Sequence, residues 1–141
     1  MKMLRNKLRQ KRGDLTSSMI SLLIITAAFA LVLSALPVFS RIYYLHAYLD
    51  DVTRYVELTG SVAGTEELLA ELDEKYFPGG DVPQTDLSSG IPFIPGTDRI
   101  QLGDMFTLTA VYVYDFRLSG FFSIPIRLTA RSTGRSEVYH K

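Results

Sequence analysis

The chain has 141 residues, with 15 basic and 15 acidic side chains and no cysteine. That length is sufficient for one domain, and the lack of cysteine excludes disulfide bonds, thiol catalysis and thiolate metal sites. The zero net charge hides an uneven distribution: residues 1–13 carry +6, residues 50–86 carry −8, and residues 98–141 carry +2. A basic head, an acidic middle and a mildly basic tail therefore follow one another.

The first predicted element is a membrane-spanning helix. Residues 15–40 contain no charged side chain over 26 positions, and about 20 apolar residues cross a hydrocarbon core of about 30 Å. A buried helix of a soluble protein is the alternative, but the remaining ~100 residues are too few to surround a helix that is apolar on every side. We therefore predict a basic leader over residues 1–13 and a transmembrane helix over residues 14–40.

The flanking charges predict the orientation of this helix. Six Lys and Arg side chains precede it, so the positive-inside rule places the leader in the cytoplasm and residues 41–141 outside. A cleaved secretory signal is the main alternative, but its apolar region spans about 7–15 residues and ends at a small-x-small site. Here Ala28-Phe29-Ala30 lies in the middle of the apolar run. The predicted location is the cell membrane, with a single pass.

The helix is predicted to continue outside the membrane over residues 41–60. Apolar side chains recur there at alternating spacings of three and four, the period of an amphipathic helix: Ile42, Leu45, Leu49, Val52 and Val56. Gly60 is a suitable C-cap. A second stripe beside the first contains Tyr44, Tyr48, Asp51 and Tyr55. Two interpretations of this stripe remain open: packing in the core and at its boundary, or contact with a neighbouring copy of the protein.

A short helix and a loop are predicted next. Residues 64–77, GTEELLAELDEKYF, place four apolar residues on one side of a helix and acidic residues on a solvated face; the apolar residues are Leu68, Leu69, Leu72 and Tyr76. Residues 78–98 hold four of the six prolines and are predicted as a loop without regular structure. This loop either packs down through Ile91, Phe93 and Ile94 or stays mobile.

The last region, residues 99–141, is predicted to form a β-sheet. Phe106–Phe116 and Phe122–Arg131 alternate between apolar and polar positions, and Leu118-Ser119-Gly120 provides the turn of a hairpin. Pro125 cannot donate to a ladder, so it belongs at an edge or a bulge. Two further short strands are expected at Arg99–Leu102 and Ser136–Tyr139. The predicted fold class is α+β, with the long helix packed on a small antiparallel sheet.

No catalytic constellation is recognisable in the sequence. The histidines are His46 and His140, and the chain contains no HExxH, GxSxG, GxGxxG or Walker motif. The basic leader is explained by membrane topology rather than by nucleic-acid binding. We therefore predict that the protein is not an enzyme, has no cofactor or metal, and binds neither nucleic acid nor a small-molecule substrate.

Three stretches carry a resemblance to a known family: KRGD at Lys11–Asp14, YVELTG at Tyr55–Gly60, and IRLTARSTGRSEVYHK at Ile126–Lys141. A basic leader ending in glycine, a long apolar helix with an amphipathic extension, and a small antiparallel sheet resemble a type IV pilin. The chain is more similar to the Tad-type (TadE-like) pseudopilins, and most similar to a related gram-positive family of uncharacterised pilin-like membrane proteins.

The resemblance implies a processing site at the membrane border. In pilins a membrane aspartyl peptidase cuts on the cytoplasmic side after the glycine, so the site here consists of Lys11, Arg12, Gly13 and Asp14, with Asp14 as the new N-terminus. Pilins usually carry Glu at the fifth mature position, where it helps to register neighbouring subunits. Ser18 occupies that position in this chain.

The resemblance also implies assembly through the N-terminal helix. Small residues let membrane helices approach closely, and we predict assembly or packing positions at Ser18, Ala27, Ala28, Ser34, Tyr44, Tyr48 and Tyr55. The expected function is a structural subunit of a surface filament or a related secretion or conjugation apparatus. Its expected partners are membrane lipid, copies of itself or other pilin-like subunits, and a prepilin peptidase. The alternative is an unprocessed, membrane-anchored extracytoplasmic module that binds a partner in an envelope complex.

Overall fold

A computed structural model describes the backbone of residues 2–118 and 122–141, and the side chains of residues 16–117 and 123–141. Its elements are α1 (Lys2–Thr59), α2 (Thr65–Tyr76), β1 (Gln84–Asp86), β2 (Met105–Leu118) and β3 (Phe122–Arg135). The predicted α+β class, a long N-terminal helix with a small antiparallel sheet, is confirmed. The chain divides into two compact units between Pro37 and Val38. Residues 119 and 120 of the predicted turn lie outside the described residues.

In the second unit, α1 supplies the centre of the hydrophobic core. Leu45, Leu49, Val52 and Val56 are each at most 1% exposed, because their spacing of three and four residues places them along one side of the helix. The helix ends where Gly60 adopts a φ of 60°, and the Gly60 N–H donates to the Val56 carbonyl oxygen at 2.8 Å. A positive φ favours glycine, which explains this C-cap.

The second helix, α2, packs its apolar side against the same core. Leu72 is buried, and Leu68, Leu69 and Tyr76 are partly buried against the core. The N-cap is Gly64 with a φ of 81°. Glu66 and Glu67 lie in the first turn and Lys75 lies in the last, so the charges complement the helix dipole.

The sheet is antiparallel and has the order β1-β2-β3. One face of the β2–β3 hairpin packs on the core through buried alternate residues: Phe106, Leu108, Ala110, Tyr112, Leu128 and Ala130. Strand β1 pairs with residues 109–111 of β2, which leaves β3 at an edge. Pro125 lies in this edge strand opposite Asp115, where its missing N–H is tolerated.

Three local predictions differ from the structure. The predicted loop over residues 78–98 contains β1, whose short polar sequence Gln84–Asp86 has no apolar alternation. Arg99–Leu102 is not a strand; Arg99 and Ile100 form only isolated bridges, with Ser61 and Phe93. Ser136–Tyr139 is not a strand either, because the N–H groups of Ser136 and Glu137 donate to the carbonyl oxygens of Asp104 and Glu57.

Side-chain contacts show how the hairpin runs relative to the outer part of α1. The Arg135 N–H donates to Glu57 Oε1 at 3.1 Å, and the Ser132 hydroxyl donates to Asp50 Oδ1 at 2.9 Å. Residue numbers in β3 and in α1 therefore decrease in the same direction, towards the apolar segment of α1. A Cβ added at Gly134 would lie 2.6 Å from Phe106 Cζ and 2.7 Å from Thr53 Cγ2. The helix and the hairpin are therefore so close at Gly134 that a larger residue would force neighbouring side chains to move.

Candidate functional site

The charge-free part of α1 has an apolar surface. Every side chain from Thr16 to Leu33 is exposed, including large apolar ones such as Leu23 at 70% and Phe29 at 63%. Soluble proteins rarely expose so large a contiguous apolar surface. Within the described residues, α1 is long and apolar enough to cross a membrane. These properties indicate a membrane-anchored protein and are compatible with a single-pass anchor.

The predicted processing site lies in the first turns of α1. The backbone of Lys11, Arg12, Gly13 and Asp14 is helical, but their side chains lie outside the described residues. Cleavage after Gly13 therefore stays a prediction. Ser18, at the position where pilins usually carry Glu, lies on the exposed surface of the helix.

Small residues form part of a shallow apolar groove along one face of this helix. The groove is lined by Met19, Leu22, Leu23, Thr26, Ala27 and Ala30. The Thr26 hydroxyl donates to the Leu22 carbonyl oxygen at 2.8 Å, and the Ser34 hydroxyl donates to that of Leu31 at 2.7 Å. Because these hydroxyls bond to carbonyl oxygens of their own helix, this side of α1 has little polarity. Its small side chains allow close approach by another helix. The predicted position Ala28 is exposed but does not line this groove.

The three predicted tyrosines have different environments. Tyr48 is 1% exposed and packs edge-on against Phe77, with ring centroids 5.8 Å apart. Core packing is therefore the correct interpretation of Tyr48, and it presents no surface to a neighbouring copy. Tyr55 is partly buried, and its hydroxyl donates to the Ala63 carbonyl oxygen at 3.5 Å. Tyr44 remains 42% exposed and can contact other molecules.

Tyr43, which the sequence analysis did not single out, extends this aromatic surface. It is 71% exposed, and its ring lies 6.0 Å from that of Tyr44. Both tyrosines follow Arg41, the first charged residue after the apolar segment. Tyrosine is enriched at membrane–water interfaces, so their position beside the membrane border was the signal that could have identified Tyr43.

A polar cluster joins α2 to the outer part of α1. Asp51 accepts hydrogen bonds from Lys75 Nζ at 3.1 Å and from the Tyr76 hydroxyl at 2.9 Å. In α2, Asp73 Oδ1 is buried and has no hydrogen-bond partner within the described part of the chain. Burial raises the pKa of Asp73, although the nearby Tyr48 hydroxyl partly opposes this shift. Loss of hydration penalises the charged carboxylate.

The C-terminal tail closes over the end of α1. His140 Nε2 lies 3.1 Å from the Gly60 carbonyl oxygen, and the buried Ser136 hydroxyl donates to the Ile100 carbonyl oxygen at 3.1 Å. Arg54 bridges Glu57 and Glu137 at 3.1 and 2.9 Å. Two of the stretches that carry the pilin resemblance, Tyr55–Gly60 and Ile126–Lys141, thus meet in space. Sequence reasoning did not foresee this junction because two of its contacts, His140 with Gly60 and Glu137 with Arg54, join residues about 80 positions apart.

Comparison with known protein families identifies the chain. A family described as a domain of unknown function, DUF4320, matches residues 21–141. The chain belongs to the DUF4320 family. The region that matches DUF4320 begins within the apolar segment and contains the whole helix–tail junction, whereas Lys11–Asp14 and Ser18 precede it. No curated protein and no solved structure matches this DUF4320 chain.

Within the described residues of the DUF4320 chain, no group of three or more His, Asp or Glu side chains is arranged to hold a metal ion. The absence of a cofactor and of catalysis stays a prediction. The structure has two main features. One is an exposed apolar helix, and the other is an α+β domain whose core includes the continuation of that helix.

Proposed function

We propose that this DUF4320 protein is a pilin-like or pseudopilin subunit of a surface filament or of a related secretion or conjugation apparatus. The proposed role is structural and involves neither catalysis nor a small-molecule substrate. The N-terminus is proposed to lie in the cytoplasm and the α+β domain outside the cell membrane. The leader is removed after Gly13 by a prepilin peptidase, and the subunits then assemble through α1.

One observation carries this proposal. A single helix, α1, contains both the charge-free segment and the residues at the centre of the domain core. A simple anchor needs only a tether between a membrane helix and a soluble domain. Here the membrane segment continues into Leu45, Leu49 and Val52, which are buried by the sheet and by α2. This arrangement supports a subunit in which one helix provides both the membrane segment and the centre of the core of the outer domain.

The groove on α1 supports assembly through the same helix. Thr26, Ala27 and Ala30 leave space for a partner, and helix association in membranes depends on such close packing. A filament requires heterologous contacts that repeat without closing. The groove lies within residues 16–33, whose side chains are all exposed, so a neighbouring subunit can reach it.

The alternative function is an unprocessed anchor for an envelope complex. It is favoured by Ser18, because the polar carboxylate that registers pilin subunits is replaced by a hydroxyl. In that case the leader remains attached and the outer domain binds a partner without polymerisation. The two functions differ in whether copies contact each other through α1.

Cysteine cross-linking tests this difference. The chain contains no cysteine, so a single Ala27→Cys substitution provides one reactive thiol in the groove. Ile25→Cys is the matched control, since two residues rotate the side chain by about 200° to the other side of the helix. Both variants should be labelled with a thiol-reactive benzophenone in the native host membrane, which on irradiation cross-links to any side chain of a neighbouring subunit, and analysed by gel electrophoresis.

The proposed function predicts cross-linked dimers for Ala27→Cys and several-fold fewer for Ile25→Cys. Expression of both variants at the wild-type level keeps random collision low. Equal cross-linking at the two positions would indicate collision rather than a defined interface. Absence of dimers in both variants, in a host where the machinery is active, would contradict assembly through this face.

A further inference from the structure

The outer face of the β2–β3 sheet carries a row of arginines. Strand side chains alternate between the two faces of a sheet, and Leu128 and Ala130 belong to the face that packs on the core. The opposite face of β3 presents five residues, all exposed: Arg127, Thr129, Arg131, Thr133 and Arg135. Successive arginines are four positions apart, which is about 13 Å along a strand. We call Arg127, Arg131 and Arg135 the arginine row.

The surroundings of the arginine row leave its charge largely uncompensated. Directly paired residues of antiparallel strands share a face, and the partners of the row on β2 are uncharged: Val113, Thr109 and Met105. Three further charged residues lie on the same face among the described residues: Asp86, Asp115 and Arg117. Four arginines against two aspartates give this face a net charge of +2.

The arginine row has no acidic partner among the described side chains. The ion pairs formed there involve Arg54 and Lys75 instead. Arg135 Nε donates to the Gly103 carbonyl oxygen at 2.9 Å, a neutral acceptor that leaves the positive charge in place. The Asp86 carboxylate accepts hydrogen bonds from its own turn, and Thr109 lies between it and Arg131. The row is therefore available to an external anion.

Helix α2 presents a matching set of acids. Glu67, Glu71 and Glu74 are spaced by four and three positions, which places them along one side of the helix. All three are exposed, and none forms an ion pair with a described side chain. We call them the glutamate row. It spans about 10 Å along the helix axis, a length similar to the spacing of successive arginines, and Ala70 lies within it.

The two rows face away from each other within one domain. Leu72 is buried in the core on the side of α2 opposite Glu74. The Phe77 ring, just after α2, lies 4.8 Å from that of Tyr112, a buried residue of the inner face of β2. Helix α2 is therefore on the inner side of the sheet, with its glutamates directed outwards. The core separates the rows, so one chain cannot pair them with each other.

From this arrangement we infer that the outer face of the β2–β3 sheet is a docking surface for α2 of a second copy of this chain. The arginine row of one subunit binds the glutamate row of the next. The inference rests on the proposed function, because it needs copies of the chain to come together. Every residue that it uses lies within the unit formed by residues 38–141.

Like charges exclude the two symmetric alternatives. Two sheet faces in contact would oppose arginine to arginine, and two copies of α2 would oppose glutamate to glutamate. The contact is therefore heterologous, and each subunit keeps one row free for a further copy. Exposed ion pairs contribute little affinity, whereas complementary charge fixes register and partner choice. The expected role of the docking surface is to set the register between subunits.

Cross-linking of the full-length protein in the native host membrane tests this contact. Thr129→Cys places a thiol between two arginines of the sheet face, and Ala70→Cys places one within the glutamate row. Each substitution is made in a chain with its own epitope tag, and the two chains are produced together and treated with a short bismaleimide. Each variant produced alone is the matched control. Several-fold more mixed dimers than same-site dimers are expected.

Charge reversal tests whether the rows carry the contact. Arg131→Glu, added to the Thr129→Cys chain, should lower the yield of mixed dimers several-fold. Glu71→Arg, added to the Ala70→Cys chain, should restore it. Both side chains are exposed, so neither reversal is expected to disturb folding. Circular dichroism of each purified variant checks this.

Four outcomes would overturn the inference. Mixed dimers that are no more abundant than same-site dimers would indicate collision, and mixed dimers unaffected by Arg131→Glu would exclude the charge pairing. A Thr129→Cys thiol that is blocked in the membrane but reactive in detergent, without mixed dimers, would assign the face to another envelope component. Absence of mixed dimers while Ala27→Cys still cross-links would remove this contact and leave assembly through α1 standing.

Discussion

The two halves of α1 obey different rules although they belong to one helix. Over residues 16–33 every side chain is exposed and most are apolar. Over residues 45–56, the branched aliphatic residues form one stripe, which is at most 1% exposed at Leu45, Leu49, Val52 and Val56. Lipid is a uniform apolar solvent, so the first half needs no periodicity. A protein core contacts a helix from one side, so the second half requires it.

The comparison shows what leucine contributes in each half. Leu23 is 70% exposed and Leu49 is 0% exposed. Within the domain, burial of Leu49 removes apolar surface from water and fills a shaped space. In the membrane segment, a leucine such as Leu23 is transferred from water to lipid. Its burial does not contribute to the core of the domain. Four predictions test this division of roles.

The largest effect is expected for Leu49→Ala. Truncation of a buried leucine leaves a cavity and typically costs about 2–5 kcal/mol in free energy of unfolding. Leu23→Ala is the matched control on the same helix and should leave unfolding of the outer domain unchanged. Thermal unfolding of the full-length protein in micelles, followed by circular dichroism, measures both. A similar loss of stability in the two variants would show that the halves are not independent.

A charge in the membrane segment is expected to have the next largest effect. Arginine near the centre of a transmembrane helix costs about 2.5–3.5 kcal/mol on insertion scales, so Ala28→Arg should lower the fraction of protein retained in membranes after alkaline extraction. His46→Arg, at an exposed position of the outer half, is the control and should not change retention. Full retention of Ala28→Arg would contradict a membrane location for residues 15–40.

A smaller loss is expected where the outer half of α1 approaches the hairpin. An added Cβ at Gly134 would lie within 3.0 Å of Phe106, Thr53 and Glu57, and such overpacking costs about 1–3 kcal/mol. Gly134→Ala should therefore lower the unfolding temperature. Gly80→Ala is the control, because its Cβ would meet only ordinary contact at 3.8 Å. Equal unfolding temperatures for the two variants would show that the close approach does not constrain the fold.

The smallest effect is expected at Asp73. Its pKa is raised by burial above the ordinary 3.8, so the folded state binds the proton more tightly than the unfolded state does. Asp73 therefore contributes stability that is complete below pH 3.8 and is lost as the pH rises through the raised pKa. Asp73→Asn should be neutral or stabilising by less than about 1 kcal/mol at pH 7.

The same variant should also reduce the gain in stability on mild acidification. Glu74→Gln is the control, since Glu74 is exposed and its neutralisation should change neither value. Chemical denaturation at neutral and mildly acidic pH measures both variants. Destabilisation of Asp73→Asn at pH 7 would indicate that the carboxylate has a partner that stabilises its charged form.

The long-range pattern of the fold was predictable because it rests on periodicity. The spacing of Leu45, Leu49 and Val52 and the alternation around Phe106–Tyr112 indicate a helix packed on a sheet. Strand β1 was not predictable, because Gln84–Asp86 has no apolar alternation and pairs through its backbone alone. The tail was misassigned as a strand because its extended sequence pattern does not reveal that the N–H of Glu137 bonds to the end of α1.

The candidate site was predictable to a lesser degree. Hydropathy identifies residues 15–40 as a membrane helix, but it does not distinguish an exposed tyrosine from a buried one. Tyr44 and Tyr48 are one helical turn apart, yet their exposed fractions are 42% and 1%. The difference arises because Phe77, at the end of α2, covers Tyr48. Periodicity within α1 contains no information about where another element ends.

The N-terminus of the mature protein tests the proposed function most directly. The native protein, recovered from the membrane of a host with an active prepilin peptidase, should be analysed by intact mass and N-terminal sequencing. Gly13→Phe, which should block cleavage, is the control and should retain residues 1–13. The wild-type chain is expected to begin at Asp14. A full-length wild-type chain, identical in its N-terminus to Gly13→Phe, would contradict it.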